Sequence, residues 1–336
     1  MTPNHVIIIA EAGVNHNGDI NLAQRMIAEA AQAGADYVKF QTAVPELVIS
    51  SIAPKAEYQK ETTGTGQSQL EMCKAIHLPL SDYAPLAELC QRHAIGFMST
   101  PFDLVSIDTL APLHMDYWKI PSGEITNLPY LRTIGRRAEP VILSTGMSTI
   151  AEVEAAVKVL ETAGTPRSII SLLHCTTQYP TPMDAVNLSA MKALESLGCA
   201  AVGYSDHTIG IEVPVAAVAM GARIIEKHFT LDKSLPGPDH RASLEPDELK
   251  AMVRAVRNIE KAIGHGQKCV TDTERPNIEV ARKSIVAARD IRRGEILTEQ
   301  NITVKRPGSG ISPMMWDSVI GTAAIDDFPY DTLIRI

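Results

Sequence analysis

Eight strand-like runs alternate with helical patterns through residues 1–264, and this alternation limits the fold more than any other feature of the chain. The runs cover residues 6–13, 37–42, 96–101, 117–122, 141–146, 169–176, 201–206 and 224–230. Between them the apolar spacing turns helical. Asp19 is placed to cap the first helix, Leu22, Met26 and Ile27 recur at helical intervals, and Gly34 stops it. Residues 149–163 and 187–197 read the same way. An α/β chain of this count and length fits a closed (β/α)8 TIM barrel. A doubly wound open sheet is the alternative. It would want a Gly-rich phosphate loop after the first strand, and residues 11–18 read EAGVNHNG, not G-x-G-x-x-G.

The strands have polar and apolar faces. Lys39 and Gln41 share one face of their strand and Val38 and Phe40 the other. Lys119 faces away from Trp118 and Ile120, and Glu226 and His228 face away from Ile225 and Phe229. In a barrel the apolar faces meet the outer helices. The polar faces look inward near the C-terminal rim, where barrel enzymes do their chemistry.

The stretch 203–230 is a βαβ pattern with His207 and His228 at the ends of its two strands, and Asp206 and Glu226 beside them. Neighbouring strands lie roughly 4.8 Å apart, so the two imidazoles can converge on one metal ion. Packed or turn-capping histidines are the alternative. Lys39 and Lys119 on inward faces, with Ser122 and Ser144 near, suit an anion pocket. The competing readings are internal ion pairs, Lys39 with Glu11 or Lys119 with Glu124, and a Schiff-base lysine at Lys119. Glu11, Gln41, Thr100, Tyr179 and Ser205 complete the expected polar rim. A phosphorylated anion, a divalent metal and a carboxylate acid/base together suit carbon–carbon bond formation on a carbonyl.

The net charge of −8, with no basic block, gives no support to nucleic-acid binding. Five cysteines without C-x-x-C spacing argue against a disulfide framework or structural zinc. The first residues lead into an apolar run, 6–10, without a basic n-region. That run is too short for a signal peptide or membrane span, so no membrane association and a cytoplasmic protein are expected. The tip 62–66 reads as a lid or a surface loop. Residues 265–281 are polar and read as a linker. Residues 282–336 read as a small β domain with strands at 284–288, 295–297 and 302–305 and turns at 293–294 and 307–308. It is expected to be too small for a robust core and to lean on the barrel or a partner.

Taken together, several motifs resemble bacterial sialic acid (N-acetylneuraminate) synthases. They are EAGVNHNG at 11–18, KFQT at 39–42, STPF at 99–102, KIPSGE at 119–124, LSTGM at 143–147 and HCT at 174–176. YPTP at 179–182, SDH at 205–207, EKHFT at 226–230, GPDH at 237–240 and KRPGSG at 305–310 complete the set, spread in order along the chain. That family condenses phosphoenolpyruvate with an N-acylated hexosamine to make a nonulosonic acid. The resemblance implies a TIM barrel followed by an antifreeze-like (SAF, β-clip) domain. It implies a divalent ion on His207 and His228, usually manganese, with magnesium or cobalt as alternatives. Lys39, Gln41, Thr100, Lys119, Ser122, Ser144 and Ser205 would hold phosphoenolpyruvate, and Glu11, Tyr179 and Asp239 would contact the sugar. Glu11 or Glu226 would move the proton or activate water. Thr177 stands where some relatives have an Asn that can contact substrate. A domain-swapped homodimer is implied, in which Arg306 of one subunit meets the N-acyl group in the other's site. The expected reaction is the formation of N-acetylneuraminate from N-acetylmannosamine. The alternative is a 2,4-diacetamido-6-deoxy hexose giving N,N'-diacetyllegionaminate. A non-catalytic carbohydrate- or ice-binding protein is the reading from a different class, suggested only by the C-terminal domain.

Overall fold

The computed structural model describes residues 5–336; residues 1–4, the start of the chain considered above for a leader, lie outside them. The chain forms two compact units that divide between Gly264 and His265.

In the first unit the strands are β1 (Ile7–Gly13), β2 (Tyr37–Thr42), β3 (Gly96–Pro101), β4 (Trp118–Ile120), β5 (Val141–Ser144), β6 (Ile170–His174), β7 (Ala201–Asp206) and β8 (Ile224–His228). All pair in parallel, in the order β3-β2-β1-β8-β7-β6-β5-β4, so β1 and β8 close the ring and β3 meets β4 at the seam without a ladder. The helices are α1 (Ile20–Ala33), α2 (Pro45–Val48), α3 (Glu57–Thr63), α4 (Gln69–Ile76), α5 (Tyr83–Arg92) and α6 (Leu104–Leu110). They continue with α7 (Leu128–Gly135), α8 (Ile150–Ala163), α9 (Met191–Glu195), α10 (Glu212–Ala219) and α11 (Pro246–Ile263). This is a nearly closed TIM-like barrel.

Local chemistry sets the elements. The Asp19 side chain accepts from the Asn21 amide at the start of α1, and Gly34 ends it in the left-handed region at φ 85°. Ala23, Met26, Ile27 and Ala30 form its buried stripe. β4 is shorter than the expected run because Pro121 lacks an N–H for the ladder, and Ser122–Glu124 turns into a 3-10 helix. β5, β6 and β8 each end two residues before the expected limit, and the residues released become rim loops. The run expected as helix over 187–197 opens with a 3-10 turn before α9.

Two apolar layers build the barrel. Val38, Phe40, Trp118, Ile120, Ile225 and Phe229 join the core shared with the helices. Ile9, Tyr37, Met98, Ile142, Leu173 and Ile224 form a separate inner cluster that fills the barrel interior. Side chains alternate along a strand. The residues two positions on from this inner layer are therefore Glu11, Lys39, Thr100, Ser144, Cys175 and Glu226. Ser205 stands two on from Gly203, where a Cβ would come within 2.3 Å of the Ile224 carbonyl. Glycine is what lets β7 approach β8 so closely.

The second unit holds the stretch expected as a linker, which carries a helix, α12 (Arg275–Ala281). β9 (Ser284–Ala287) pairs antiparallel with β10 (Ile302–Lys305). The strand expected at 295–297 is reduced to a bridge between Ile296 and Ala323. Contrary to expectation, the unit has a continuous core of its own, built from Ile285, Ile291, Leu297, Ile302, Val319, Phe328, Ile334 and their neighbours. Antiparallel bridges to Ala323, Phe328 and Leu333 bring these apolar residues together from distant positions. Among the described residues no helix is long and apolar enough to cross a membrane.

Candidate active site

A cavity of about 320 Å³ opens at the C-terminal ends of the barrel strands. Thirteen of the residues expected from sequence line it: Glu11, Lys39, Gln41, Thr100, Lys119, Ser122, Ser144, Tyr179, Ser205, His207, Glu226, His228 and Asp239. Arg306 belongs to the second unit and is not among the lining residues. It is exposed, and its Nε donates to the Ala281 carbonyl at 3.1 Å. Glu124, read as a partner for Lys119, is also absent from the lining and accepts from Asn127 instead.

The two lysines are paired, though not as both sequence readings had it. Lys39 lies 2.5 Å from Glu11 Oε2 and 3.7 Å from Glu226 Oε2, and donates to Thr100 Oγ1 at 3.1 Å. Lys119 donates to Ser144 Oγ at 2.8 Å and stands 3.5 Å from Glu226 Oε1. Gln41 Nε2 donates to Glu11 Oε1, and Ser205 Oγ donates to Glu226 Oε1, both at 3.1 Å. The Lys39–Glu11 pair is therefore formed, whereas Lys119 faces Glu226 because β4 and β8 both look into the same barrel mouth. All four charged groups are nearly inaccessible, so each depends on the others for the solvation it has lost. Burial opposes the charge of Lys39, but Glu11 and Glu226 outweigh it and hold the ammonium above its ordinary value. At Lys119 burial prevails over Glu226, and the direction is downward.

Ser122 Oγ accepts from the Gly146 amide at 3.0 Å. A Cβ at Gly146 would lie 2.9 Å from that oxygen and 2.6 Å from Thr177 Cγ2, so the β5 exit needs glycine to close on the site. Thr177 also lines the cavity.

His207 and His228 meet with ring centroids 5.3 Å apart. His207 Nδ1 lies 2.6 Å from the Thr176 carbonyl. A carbonyl only accepts, so Nδ1 carries the proton and Nε2 keeps its lone pair. His228 Nδ1 is buried and has no hydrogen-bond partner among the described residues. Burial holds both imidazoles neutral: His207 is lowered to about 4, and His228 is lowered well below its ordinary value, by burial first and then by nearby positive charge that includes the lysines. Two neutral, buried imidazoles with an unused nitrogen fit a divalent ion. Among the described residues no group of three or more His, Cys, Asp or Glu is placed to hold a metal ion.

Tyr179 packs on His207 at 4.0 Å between centroids and meets His228 edge-on at 5.5 Å. On its other side it stacks on Tyr58 at 5.1 Å. Asp239 is buried, and no described residue donates a hydrogen bond to its carboxyl. Burial, then the charge of Glu11, pushes that carboxyl up to about 7.

Sequence reasoning missed one wall of the cavity. Val48, Ile49, Tyr58, Met72, Cys73 and Ile76 come from the β2–β3 crossover, where the sequence reading assigns no site residue. Of the tip at 62–66, Thr62 and Thr63 are half-buried at the end of α3 and residues 64–66 are exposed; none of them lines the cavity.

A sequence model of the NeuB family matches residues 26–268, and one of the SAF domain matches residues 282–336. The N,N'-diacetyllegionaminic acid synthase of Campylobacter jejuni subsp. jejuni is 51% identical over 98% of each chain. The protein of the same name from Legionella pneumophila is 45% identical over 94% of this chain and 89% of its own. The crystal structure of the N-acetylneuraminic acid (sialic acid) synthetase of Leptospira borgpetersenii, in complex with citrate, is 38% identical. It matches with a TM-score of 0.71 over 82% of this chain and 90% of that one. With the barrel, the cavity and these relatives in agreement, the chain belongs to the NeuB family, the phosphoenolpyruvate-condensing synthases of nonulosonic acids, and carries a SAF domain behind its barrel.

Proposed function

We propose that the protein condenses phosphoenolpyruvate with a 2,4-diacetamido-6-deoxy hexose and water, giving N,N'-diacetyllegionaminate and phosphate. The observation that carries the reading is the 51% identity to a legionaminic acid synthase along the whole chain. The synthetase named for N-acetylneuraminic acid stands further off, at 38%. The expectation of N-acetylmannosamine as substrate therefore gives way to its alternative.

The sugar enters as its open-chain aldehyde. C3 of phosphoenolpyruvate forms the new bond to the aldehyde carbon, water adds at C2, and phosphate leaves by C–O cleavage. Lys39, Lys119, Ser122 and Ser144 hold the anion, with Gln41, Thr100 and Ser205 supporting the lysines and carboxylates. The two ammonium groups, beside Glu11 and Glu226 at the cavity, would donate to the anion's oxygens. The proton released by the attacking water has an acceptor in Glu11 or Glu226, both buried at the cavity floor. His207 and His228 would hold the divalent ion, manganese first and magnesium or cobalt as alternatives, whose chemistry when bound is to polarise the aldehyde oxygen. Tyr179 and Asp239 contact the sugar. The working enzyme is a cytoplasmic, domain-swapped homodimer in which Arg306 reaches the partner's sugar site. Its side chain is exposed and, among the described residues, is engaged through Nε alone, which supports that contact.

The test is phosphate release with manganese, phosphoenolpyruvate and each sugar in turn. Turnover with the diacetamido-deoxy sugar well above that with N-acetylmannosamine is expected; the reverse preference, or no turnover, overturns the reading.

A further inference from the structure

In the β2–β3 crossover, α5 buries Tyr83, Leu86 and Cys90 in the core, whereas α2–α4 and the residues beside them turn apolar side chains to the cavity. α2 and α3 bury no residue, and α4 buries Met72 alone. A surface helix normally presents an apolar stripe to the domain core. Here Val48, Ile49, Met72 and Ile76 line the cavity instead. The segment is nevertheless held in place. Lys74 pairs with Glu46 at 2.6 Å and ties α4 to α2. Lys55 Nζ donates to Thr63 Oγ1 at 3.0 Å and to the Gly64 carbonyl at 3.1 Å, fastening the end of α3. Thr63 Oγ1 in turn contacts Met72 Sδ at 3.4 Å. An ordered apolar wall facing water gains stability when a ligand covers it.

One contact and one charge effect tie this wall to Tyr179 and Asp239, the residues assigned to the sugar above. Tyr58 stacks on Tyr179. Asp239 is close enough for its charge to act on both Tyr58 and Cys73. Its carboxyl is buried and receives no hydrogen bond from a described residue. An acetamido group has two needs, an acceptor for its N–H and apolar contact for its methyl. A 6-deoxy carbon adds a second methyl. A carboxylate beside a wall of Met, Ile and Val side chains answers both.

We infer that the α2–α4 wall, together with Asp239, is the specificity element of the site, selecting sugars that carry acetamido and methyl groups where other hexosamines carry hydroxyls. This rests on the functional reading above and names the part of the chain that enforces it. An apolar pocket rejects an added hydroxyl by about a hundredfold at most, which sets the scale of the effect.

The experiment compares kcat/KM for 2,4-diacetamido-2,4,6-trideoxymannose and for N-acetylmannosamine in the wild type, Met72→Gln and Val48→Thr. Met72→Gln keeps the volume and adds polarity. Val48 is 38% exposed, so Val48→Thr keeps the shape at a site where folding is not at stake. The expected result is a fall of about tenfold or more in the ratio between the two sugars, carried by the deoxy sugar, with the KM for phosphoenolpyruvate unchanged. Equal losses with both sugars, or no change in the ratio, overturn the inference and leave the functional reading standing. A wild type that prefers N-acetylmannosamine overturns the functional reading, and the inference with it.

Discussion

Asp206 and Lys227 face each other across the last rung of the β7–β8 ladder, and neither side chain is accessible to solvent. Lys227 also donates to the Thr208 carbonyl, while Asp206 Oδ1 accepts from the Thr208 amide and Oδ2 from its hydroxyl. His207 lies between Asp206 and Thr208 in sequence, and His228 follows Lys227. One buried pair therefore fastens, from behind, the two strand ends that carry the candidate metal ligands.

Lys227→Met leaves Asp206 buried without its counter-charge and is expected to cost about 3–5 kcal/mol in urea unfolding. The double variant Asp206→Leu with Lys227→Met removes both charges and should recover most of that loss. A double variant as unstable as the single one would show that the pair itself is not what matters.

His207→Ala and His228→Ala should each abolish manganese-dependent phosphate release while the barrel stays folded. His228 Nδ1 has no hydrogen-bond partner among the described residues, so its loss removes no hydrogen bond to them there. Calorimetry should find manganese binding to the wild type and not to either variant. Full turnover after exhaustive chelation would refute the metal site.

Lys119→Ala should raise the KM for phosphoenolpyruvate far more than that for the sugar. Loss of a charge-assisted contact is worth about 1.5–3 kcal/mol, roughly ten- to a hundredfold. Borohydride trapping of substrate on Lys119 would instead establish the Schiff-base chemistry.

Asp239 gives the site a pH dependence. Its carboxyl holds a proton up to about 7 in the folded state, against 3.8 as the ordinary value. The folded state thus binds the proton more tightly than the unfolded one, and this group's contribution to stability is lost as pH rises from about 4 through about 7. The loss is on the order of 4 kcal/mol at most. Asp239→Asn should flatten that part of the profile in thermal unfolding. In catalysis the sign reverses, because only the carboxylate accepts fully from a sugar N–H. The KM for the sugar should fall as pH rises through about 7 in the wild type and not in Asp239→Asn.

The strands were legible in sequence where turn chemistry bounds them on both sides, as at β2, β3 and β7. The inward polar set was legible because period two puts Lys39, Lys119 and Glu226 opposite apolar neighbours. Their pairings were not. Glu226 becomes the neighbour of Lys119 only when the barrel closes, and local sequence offered Glu124 instead. The crossover wall stayed hidden for a related reason. Val48, Met72 and Ile76 have the spacing of ordinary helix residues, and nothing local says whether such a face meets a core or a cavity. The core of the second unit depends on bridges between positions some 30 to 50 residues apart, such as Ile291 with Phe328 and Val286 with Leu333, which no local pattern reveals.

Arg306 provides the last prediction. It follows β10, at an exposed position, with Nε bonded to the Ala281 carbonyl. A solvated turn arginine would tolerate substitution with little effect on activity, typically within about 0.5 kcal/mol in stability. If Arg306 completes the partner's sugar site, Arg306→Ala should be nearly inactive although folded, with the loss falling on the sugar and not on phosphoenolpyruvate. At phosphoenolpyruvate concentrations well below its raised KM, Lys119→Ala should be nearly inactive for a separate reason, in the barrel. Mixed under conditions where subunits exchange, the two variants should recover activity. A heterodimer then holds one site with both residues intact, as C2 symmetry with an exchanged domain requires. Statistical mixing caps the recovery at about a quarter of the wild-type activity per subunit, since half the dimers are mixed and each has one good site. An active monomer in light scattering, or no recovery when exchange is demonstrated with differently tagged subunits, would refute the swap.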